Sequence, residues 1–307
     1  MNLAQRRIAT VRASSLARKL RHRLHLTPLI VEPSILTWFE VIGYTVLLQS
    51  DIGCARHPVQ RHTDREVILS NRLLNACQRI NPTIPLPAIA ETICQLTGKN
   101  NCLTVENNRR FHKLLTDGID ITYHRDGQIV NDQLWLIDPS NLQNNDWLVI
   151  HPFTVVEGNY TCSPDVVVFI NGLPLAVIVW THPKNEKALL KEAYQRFQIY
   201  KQQIPTLFAY NAFVVIACGN RARVGTLTSD WQDFLPWRTI DGEDFPSQGE
   251  TELEVLIQGI FDKRRFLELV KHFIVFEDNK ANISKNLLRH PFCTRQQSKS
   301  HSRTNEI

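Results

Sequence analysis

Residues 164–181 read PDVVVFINGLPLAVIVWT, and this stretch decides the fold of the chain. Two apolar runs flank Asn171 and Gly172. Asn-Gly between apolar runs is the strongest short-range signal for a β-hairpin, because both central residues of a type I′ turn need a positive φ. An amphipathic segment, residues 186–201, follows and predicts a helix. The stretch is therefore interpreted as a hairpin that leads into a helix.

Asp165 stands at the start of the first strand of this hairpin. A carboxylate at the edge of a buried strand is costly to ionise without a partner. Its side chain therefore needs either a hydrogen-bond donor or a metal ion.

The rest of the chain alternates between helical and extended patterns. Apolar residues recur every three or four positions in the helical segments and form short runs in the extended ones. Helices are predicted over residues 32–42, 64–80, 86–96, 107–115, 253–261 and 264–276. Strands are predicted over residues 44–48, 119–123, 134–137, 147–156 (interrupted by Pro152), 211–218 and 223–228.

Composition is that of an ordinary soluble globular protein. The chain has 307 residues, of which 43% are hydrophobic and 21% charged. No apolar run approaches the roughly 20 residues that span a bilayer, so no membrane association is expected. The seven cysteines are scattered and form no C-x-x-C pair, which argues against a disulfide framework and against a zinc site. This cysteine usage fits a reducing compartment and predicts a cytoplasmic protein.

The formal net charge of +5 is unevenly distributed. Residues 1–25 hold seven basic residues and no acidic one, and residues 285–307 hold five basic residues against Glu306. The intervening part holds 23 basic and 29 acidic residues, a net charge of −6. Since the body has no general positive field, any contact that it makes with nucleic acid must use a local basic patch.

These patterns divide the chain into four segments. Residues 1–28 are predicted to be a basic disordered arm, with an organelle transit peptide as the alternative. Residues 29–240 form the main domain. Residues 241–284 are interpreted as a linker followed by helices, and residues 285–307 as a basic disordered tail.

Several motifs resemble the N-terminal nuclease region of the R subunit of type I restriction enzymes. They are Pro164-Asp165, Asn171-Gly172-Leu173-Pro174-Leu175, Tyr200-Lys201, Phe153-Thr154-Val155-Val156-Glu157-Gly158, and the string from Glu106 to Gly118. The resemblance runs from about residue 32 to residue 278. It implies an α/β, restriction-endonuclease-like fold with a mixed β-sheet flanked by helices, and a function in DNA restriction by phosphodiester hydrolysis with Mg²⁺. The implied partners are DNA and the methyltransferase and specificity subunits of a restriction complex. The likeness fades before the translocase, and no G-x-x-x-x-G-K-[ST] loop occurs, so no ATP site is expected in this chain.

The same resemblance places a PD-(D/E)xK site on the hairpin. In the family the second strand carries a Glu and, two residues on, a Lys; these positions are Val179 and Thr181 here. The family Gln that lies four residues before the helix Tyr corresponds to Arg196, so only Asp165 and Tyr200 are retained. Side chains two apart on a strand share a face, so the geometry of the site is expected to survive while its chemistry does not. Weak or absent cleavage and poor Mg²⁺ binding are the expectations.

Other residues could contribute to such a site. Glu32 corresponds to a first-helix carboxylate that supports the metal in many such folds, although an exposed Glu favoured by the helix dipole explains it equally well. The missing groups could have moved to the next helix, whose candidates are Lys184, Glu186, Lys187, Lys191 and Glu192. Arg196 could instead form a bidentate ion pair with Asp165 in place of the metal. A non-catalytic DNA- or subunit-binding module, or a decayed fragment, is the alternative function.

Three further features favour ordinary packing over chemistry. Glu157 is a minor candidate for a metal carboxylate, because the resemblance does not place it in the motif. His112 lies beside Phe111 at core spacing and is expected to be a packed histidine. Aromatic side chains that could stack on bases have no run of basic residues among them, and core packing is favoured for Trp231, Phe234 and Trp237.

Overall fold

The structure is a computed structural model that describes residues 31–52, 61, 63–98, 104–181, 189–240, 250–279 and 282–288. Its helices are α1 (Val31–Val41), α2 (Gln49–Ile52), α3 (Ser70–Ile80), α4 (Leu86–Thr97), α5 (Thr104–Asp117), α6 (Leu189–Gln203), α7 (Pro205–Phe208), α8 (Glu252–Ile260) and α9 (Lys263–His272). Its strands are β1 (Thr45–Leu48), β2 (Ile119–Arg125), β3 (Gln128–Leu134), β4 (Trp147–His151), β5 (Val155–Glu157), β6 (Tyr160–Cys162), β7 (Val166–Ile170), β8 (Leu173–Thr181), β9 (Phe213–Cys218), β10 (Arg221–Gly225), β11 (Ile274–Asn279) and β12 (Asn282–Leu287).

A six-stranded mixed sheet lies at the centre, in the order β1-β4-β7-β8-β9-β10. Strand β1 is parallel to β4, and β8 is parallel to β9, whereas the other neighbours are antiparallel. Every residue of β7, β8 and β9 is buried, so these strands have helices or loops on both faces. The expected α/β fold with a mixed sheet flanked by helices is confirmed.

The helices after residue 250 pack into the same core as the rest of the protein. Phe261, which follows α8, lies 5.0 Å from Phe39 of α1 between ring centroids. Phe266 of α9 lies 5.6 Å from Phe213 of β9. Residues 252–272 are therefore part of one hydrophobic cluster with the central sheet.

The β7–β8 turn has the backbone conformation that its sequence predicts. Asn171 and Gly172 have φ values of 54° and 81°, as a type I′ turn requires. The side chain of Asn171 is fully buried; its Oδ1 accepts from the Asp146 N–H at 2.7 Å, and its Nδ2 donates to the Leu136 carbonyl at 2.8 Å. The Gly172 carbonyl accepts from the Leu69 N–H at 2.9 Å, which docks the turn against the start of α3.

Several predicted elements have different limits in the structure. Helix α3 begins at Ser70 rather than at residue 64, because the segment before it is held in non-helical contacts such as the hydrogen bond from Val156 N to the Asp64 carbonyl. The strand predicted over 147–156 is two strands, β4 and β5, in different sheets, with Pro152 between them. The hairpin predicted over 119–137 is confirmed, with β3 shifted to Gln128–Leu134.

The region after α9 differs most from the prediction. The helix predicted over 264–276 ends at His272, and β11 starts at Ile274, where β-branched and aromatic residues favour a strand. Strand β11 pairs with β12, a segment that the sequence pattern assigned to a linker region and a disordered tail. Lys285, the first residue of that predicted tail, lies in β12 and is fully buried. Among the described residues, no helix is long and apolar enough to cross a membrane.

Candidate functional site

Asp165 lies immediately before β7, at the open end of the central hairpin. The antiparallel register pairs Val166 with Ile178, and continuing it by one residue places Asp165 opposite Val179. One carboxylate oxygen, Oδ2, accepts a hydrogen bond from the Trp180 backbone N–H at 2.9 Å. The side chain is 19% exposed, so this carboxylate is largely withdrawn from solvent.

Arg196 reaches Asp165 from the middle of α6. Its Nη2 lies 3.4 Å from both carboxylate oxygens, while Nη1 donates to the Trp180 carbonyl at 2.8 Å. The ion pair that was one hypothesis from the sequence is present, but it is not bidentate, because a single nitrogen faces the carboxylate. The other nitrogen is used to hold the end of β8.

Tyr200 completes this group one helical turn further along α6. Its hydroxyl oxygen accepts a hydrogen bond from Arg196 Nη2 at 2.8 Å and donates to the Ser163 carbonyl at 3.4 Å. Residues four apart on a helix lie on one face, which explains why Arg196 and Tyr200 face the hairpin together. The result is a chain of contacts from α6 through Asp165 to the end of β8.

Burial and charge act in opposite directions on these groups. Burial raises the pKa of Asp165 above its usual range, and the Trp180 N–H and the Arg196 cation partly oppose that rise. For Arg196, burial lowers the pKa, but Asp165 and Tyr200 outweigh it and leave the pKa above its ordinary value. The Trp180 N–H and the Arg196 cation are therefore the groups here that favour the ionised form of Asp165.

The two positions on β8 that the resemblance assigns to the motif hold no group that could replace a carboxylate or an ammonium. Val179 is completely buried and has only methyl groups to present. Thr181 is 9% exposed, and its hydroxyl donates to the Ala217 carbonyl at 3.5 Å, on the neighbouring strand β9. Both positions lie on the expected strand, and neither places a carboxylate or an ammonium beside Asp165.

His151, at the end of β4, is a neighbour that the sequence patterns did not single out. Its Nδ1 contacts the backbone carbonyl of Asp165. The only signal available in sequence was a single polar residue after an apolar run, which is too weak to select it. The contact depends on the pairing of β4 with β7, and strand pairing over this separation is not visible in local sequence.

The remaining candidates lie elsewhere or have other roles. Lys191 and Glu192 are exposed on the first turn of α6. Glu157 accepts hydrogen bonds from the backbone N–H and hydroxyl of Thr206 at 3.0 and 2.6 Å, so it stabilises the first turn of α7. Outside the described residues lie Lys184, Glu186, Lys187 and the side chain of Glu32, which is on the first turn of α1.

The aromatic candidates belong to the packed interior. Phe234 and Trp237 are buried, at 0% and 2% exposure. Trp231 is half-buried and packs edge-on against Tyr194, with ring centroids 5.7 Å apart. The interpretation of these three side chains as packing residues is confirmed.

The donor set around Asp165 does not fit a magnesium ion. Mg²⁺ prefers several oxygen ligands in octahedral geometry. Here the oxygens of the Asp165 carboxylate already face an N–H group and a guanidinium cation. In the described part of the chain, no cluster of three or more His, Cys, Asp or Glu side chains could hold a metal ion.

Comparison with known proteins agrees with this arrangement of elements. Residues 29–233 match the family model described as "Type I restriction enzyme R protein N terminus". The chain belongs to this family. Restriction endonucleases use divalent metals in general, so the donor set described above departs from what the family suggests.

Curated relatives carry related names. The chain is 30% identical over 250 residues to the type I restriction enzyme HindI endonuclease subunit of Haemophilus influenzae, covering 80% of this chain and 24% of the relative. It is 26% identical over 270 residues to the putative type I restriction enzyme MjaIXP endonuclease subunit of Methanocaldococcus jannaschii, covering 82% and 26%. The chain therefore spans about a quarter of the length of these relatives.

Proposed function

We propose that this chain is a restriction-endonuclease-like module of a type I restriction system whose site no longer cleaves DNA. Its partners would be DNA and the other subunits of the restriction complex, the methyltransferase and specificity subunits. One observation carries the proposal: Nη2 of Arg196 lies 3.4 Å from both carboxylate oxygens of Asp165, so a cation of the chain already neighbours the one motif carboxylate that remains.

The positive charge of Arg196 allows its guanidinium to take the place of a metal ion beside Asp165. A cation 3.4 Å from both oxygens of Asp165 repels a divalent ion and satisfies the carboxylate without one. Hydrolysis of a phosphodiester with a metal requires the ion to neutralise charge and to activate water. With Arg196 in place, the carboxylate is retained as a structural anion.

Val179 supports the same proposal through burial. A glutamate at a completely buried position needs a metal or another cation to remain ionised, and unpaired burial costs several kcal/mol. Valine removes that requirement and suits the centre of a buried strand. The substitutions at Val179 and Arg196 are therefore complementary: one removes an anion, and the other supplies a fixed cation.

Plasmid nicking in the presence of Mg²⁺ tests the proposal. We expect no nicking by the unmodified chain and Mg²⁺-dependent nicking by a Val179→Glu/Thr181→Lys/Arg196→Gln variant, which restores the residues that the family carries. Adding Asp165→Asn to that variant is the matched control and should abolish the nicking. Thermal unfolding followed by circular dichroism establishes that each variant is folded.

Two results would contradict the proposal. The first is Mg²⁺-dependent nicking by the unmodified chain that disappears in Asp165→Asn. The second comes from calorimetric titration with Mg²⁺, which decides the matter if no variant nicks DNA. Binding of Mg²⁺ by the unmodified chain, lost on Asp165→Asn, would show that Arg196 does not exclude the ion.

A further inference from the structure

An open groove of about 520 Å³ lies between helix α5 and the β11–β12 hairpin. It shares no residue with the group around Asp165. We call it the α5 groove, and its principal lining residues are Glu106, Arg109, Arg110, Lys113, Phe276 and Ile283. Strands β11 and β12 lie beyond residue 233, where the family match ends, so the groove combines a family helix with a hairpin outside that match.

One face of α5 supplies the polar rim of the groove. Residues 106, 109, 110 and 113 stand at i, i+3, i+4 and i+7 and are all exposed, so they share one face of the helix. Three of them are basic, and they lie in a body whose net charge is −6 over residues 26–284. The α5 groove is thus a local basic patch of the kind that a contact with nucleic acid would require.

The hairpin supplies an apolar floor. Phe276 and Ile283 are half-buried, so part of each side chain faces the groove. The ring of His112, which also lines the groove, lies 5.4 Å from the Phe276 ring. Burial and the nearby Lys285 cation lower the pKa of His112 to about 4, and Asp117 opposes this only in part. His112 is therefore neutral at physiological pH.

Two links between α5 and the hairpin hold the floor and the rim together. Lys285 Nζ donates to Asn108 Oδ1 at 2.9 Å in the fully buried layer beneath the groove. Arg109 Nη1 lies 2.6 Å from Asp278 Oδ1 at the surface. Since Asp278 offsets Arg109, the cations available to a ligand are Arg110 and Lys113, opposed by Glu106. The groove is thus preformed and carries a small excess of positive charge.

We propose that the α5 groove binds a single strand of nucleic acid, with phosphates against Arg110 and Lys113 and a base against Phe276. A positively charged groove that contains an aromatic side chain is the usual design of single-strand binding sites, because every base has a face that can stack. In a duplex that face is covered by the neighbouring base pairs, so the floor would have no partner. An acidic peptide would match the charges but not the flat apolar floor.

Fluorescence anisotropy with a labelled thymidylate oligonucleotide tests this site in the full chain, with a chelator present so that cleavage plays no part. The result is therefore independent of the proposed loss of nuclease activity. We expect Arg110→Ala/Lys113→Ala to weaken binding by about tenfold near physiological salt. The slope of log affinity against log salt should also fall by about 1.4, because two phosphate contacts to a single strand are lost.

The matched control removes two exposed basic residues that do not line the groove. Arg79 and Arg264 are exposed on α3 and α9, and Arg79→Ala/Arg264→Ala lowers the net charge equally. It should change the affinity by less than about twofold, since charges far from a bound strand are screened within roughly 10 Å. The basic termini of the chain are common to both variants and cancel in the comparison.

Two single variants separate the rim from the floor. Phe276→Leu should weaken binding about fivefold with an unchanged salt slope, because it removes stacking and not a charge. Glu106→Gln removes the opposing carboxylate and should strengthen binding, an outcome that loss of folding cannot imitate.

The proposal would be overturned by equal losses in the two double variants or by weaker binding in Glu106→Gln. It would equally be overturned if duplex DNA of the same length, or polyglutamate, displaced the oligonucleotide as effectively as unlabelled single strand does.

Discussion

The two ends of the β7–β8 hairpin differ in what determines their residues. At the turn, Asn171 and Gly172 keep the residues that the backbone requires, and the buried amide is hydrogen-bonded on both sides. At the open end, Val179 and Thr181 stand where the family resemblance places charged groups. There the carboxylate of Asp165 forms an ion pair with Arg196. At the turn the backbone conformation restricts the residue types, whereas at the open end a buried valine and an ion pair between Arg196 and Asp165 are compatible with the fold.

Among the variants that test this comparison, Gly172→Ala should lower the free energy of unfolding most. A Cβ at this position would lie 2.5 Å from the Leu69 carbonyl oxygen and 3.0 Å from the Leu73 nitrogen, and φ is +81°. Left-handed strain and the backbone clash together should lower the free energy of unfolding by about 4 kcal/mol. Urea denaturation measures this change.

Gly127→Ala is the matched control for that experiment. Gly127 has a φ of +77°, but nothing lies within 4 Å of its added Cβ. Only the strain remains, so the loss should be about 1 kcal/mol. Equal losses in the two variants would mean that the turn is not docked against α3 as described.

Val179→Glu tests the open end of the hairpin. It should lower the free energy of unfolding by about 3 kcal/mol at neutral pH without metal. The position is completely buried, so the new carboxyl would have a raised pKa in the folded protein. A carboxyl whose pKa is raised by folding destabilises the protein increasingly as the pH rises above about 4.3, its value in the unfolded chain. Denaturation at several pH values measures this slope.

Val179→Gln has nearly the same shape as Val179→Glu and cannot ionise. The loss in the free energy of unfolding that it causes should therefore be independent of pH between about 4 and 8. If the two variants showed the same stability at every pH, position 179 would have to be open to solvent.

Arg196→Gln should have the smallest effect, about 1 kcal/mol at pH 7, because the guanidinium is more than a third exposed and its contribution is screened. Burial already raises the pKa of Asp165, and Arg196 opposes this rise. Without Arg196 the pKa of Asp165 rises further, so the variant loses stability relative to the parent as the pH rises from about 4 to 7. A stability difference that is instead largest at the acidic end would refute the role given to the ion pair.

Local sequence predicted the parts of the molecule that local geometry controls. The Asn-Gly turn could be predicted because its two φ angles restrict the residue types directly. The approach of Arg196 to Asp165 could be inferred because Arg196 and Tyr200 share a helix face that packs on the sheet. The individual hydrogen bonds could not be predicted. The bond from Arg196 Nη1 to the Trp180 carbonyl, for example, depends on where β8 ends relative to α6.

The missed elements are those whose partners are distant in sequence. Strand β12 contains a lysine and two asparagines, a composition typical of a surface loop. Its place in the core depends on the hydrogen bond between Lys285 and Asn108, a residue 177 positions away. In the same way, the segment before α3 has helical spacing of apolar residues, but contacts with the hairpin turn and with β5 keep it in an irregular, non-helical conformation.

Lys285 also determines how the protein would carry a mechanical load. Its ammonium is bonded to α5 and to the loop before β9, while its backbone N–H and carbonyl are bonded to Thr228 in the segment after β10. A pulling force along β12 would therefore be shared among three separate parts of the core at one residue. Bonds loaded together in this way must break together, so the hairpin should resist tension far better than a strand held by its partner alone.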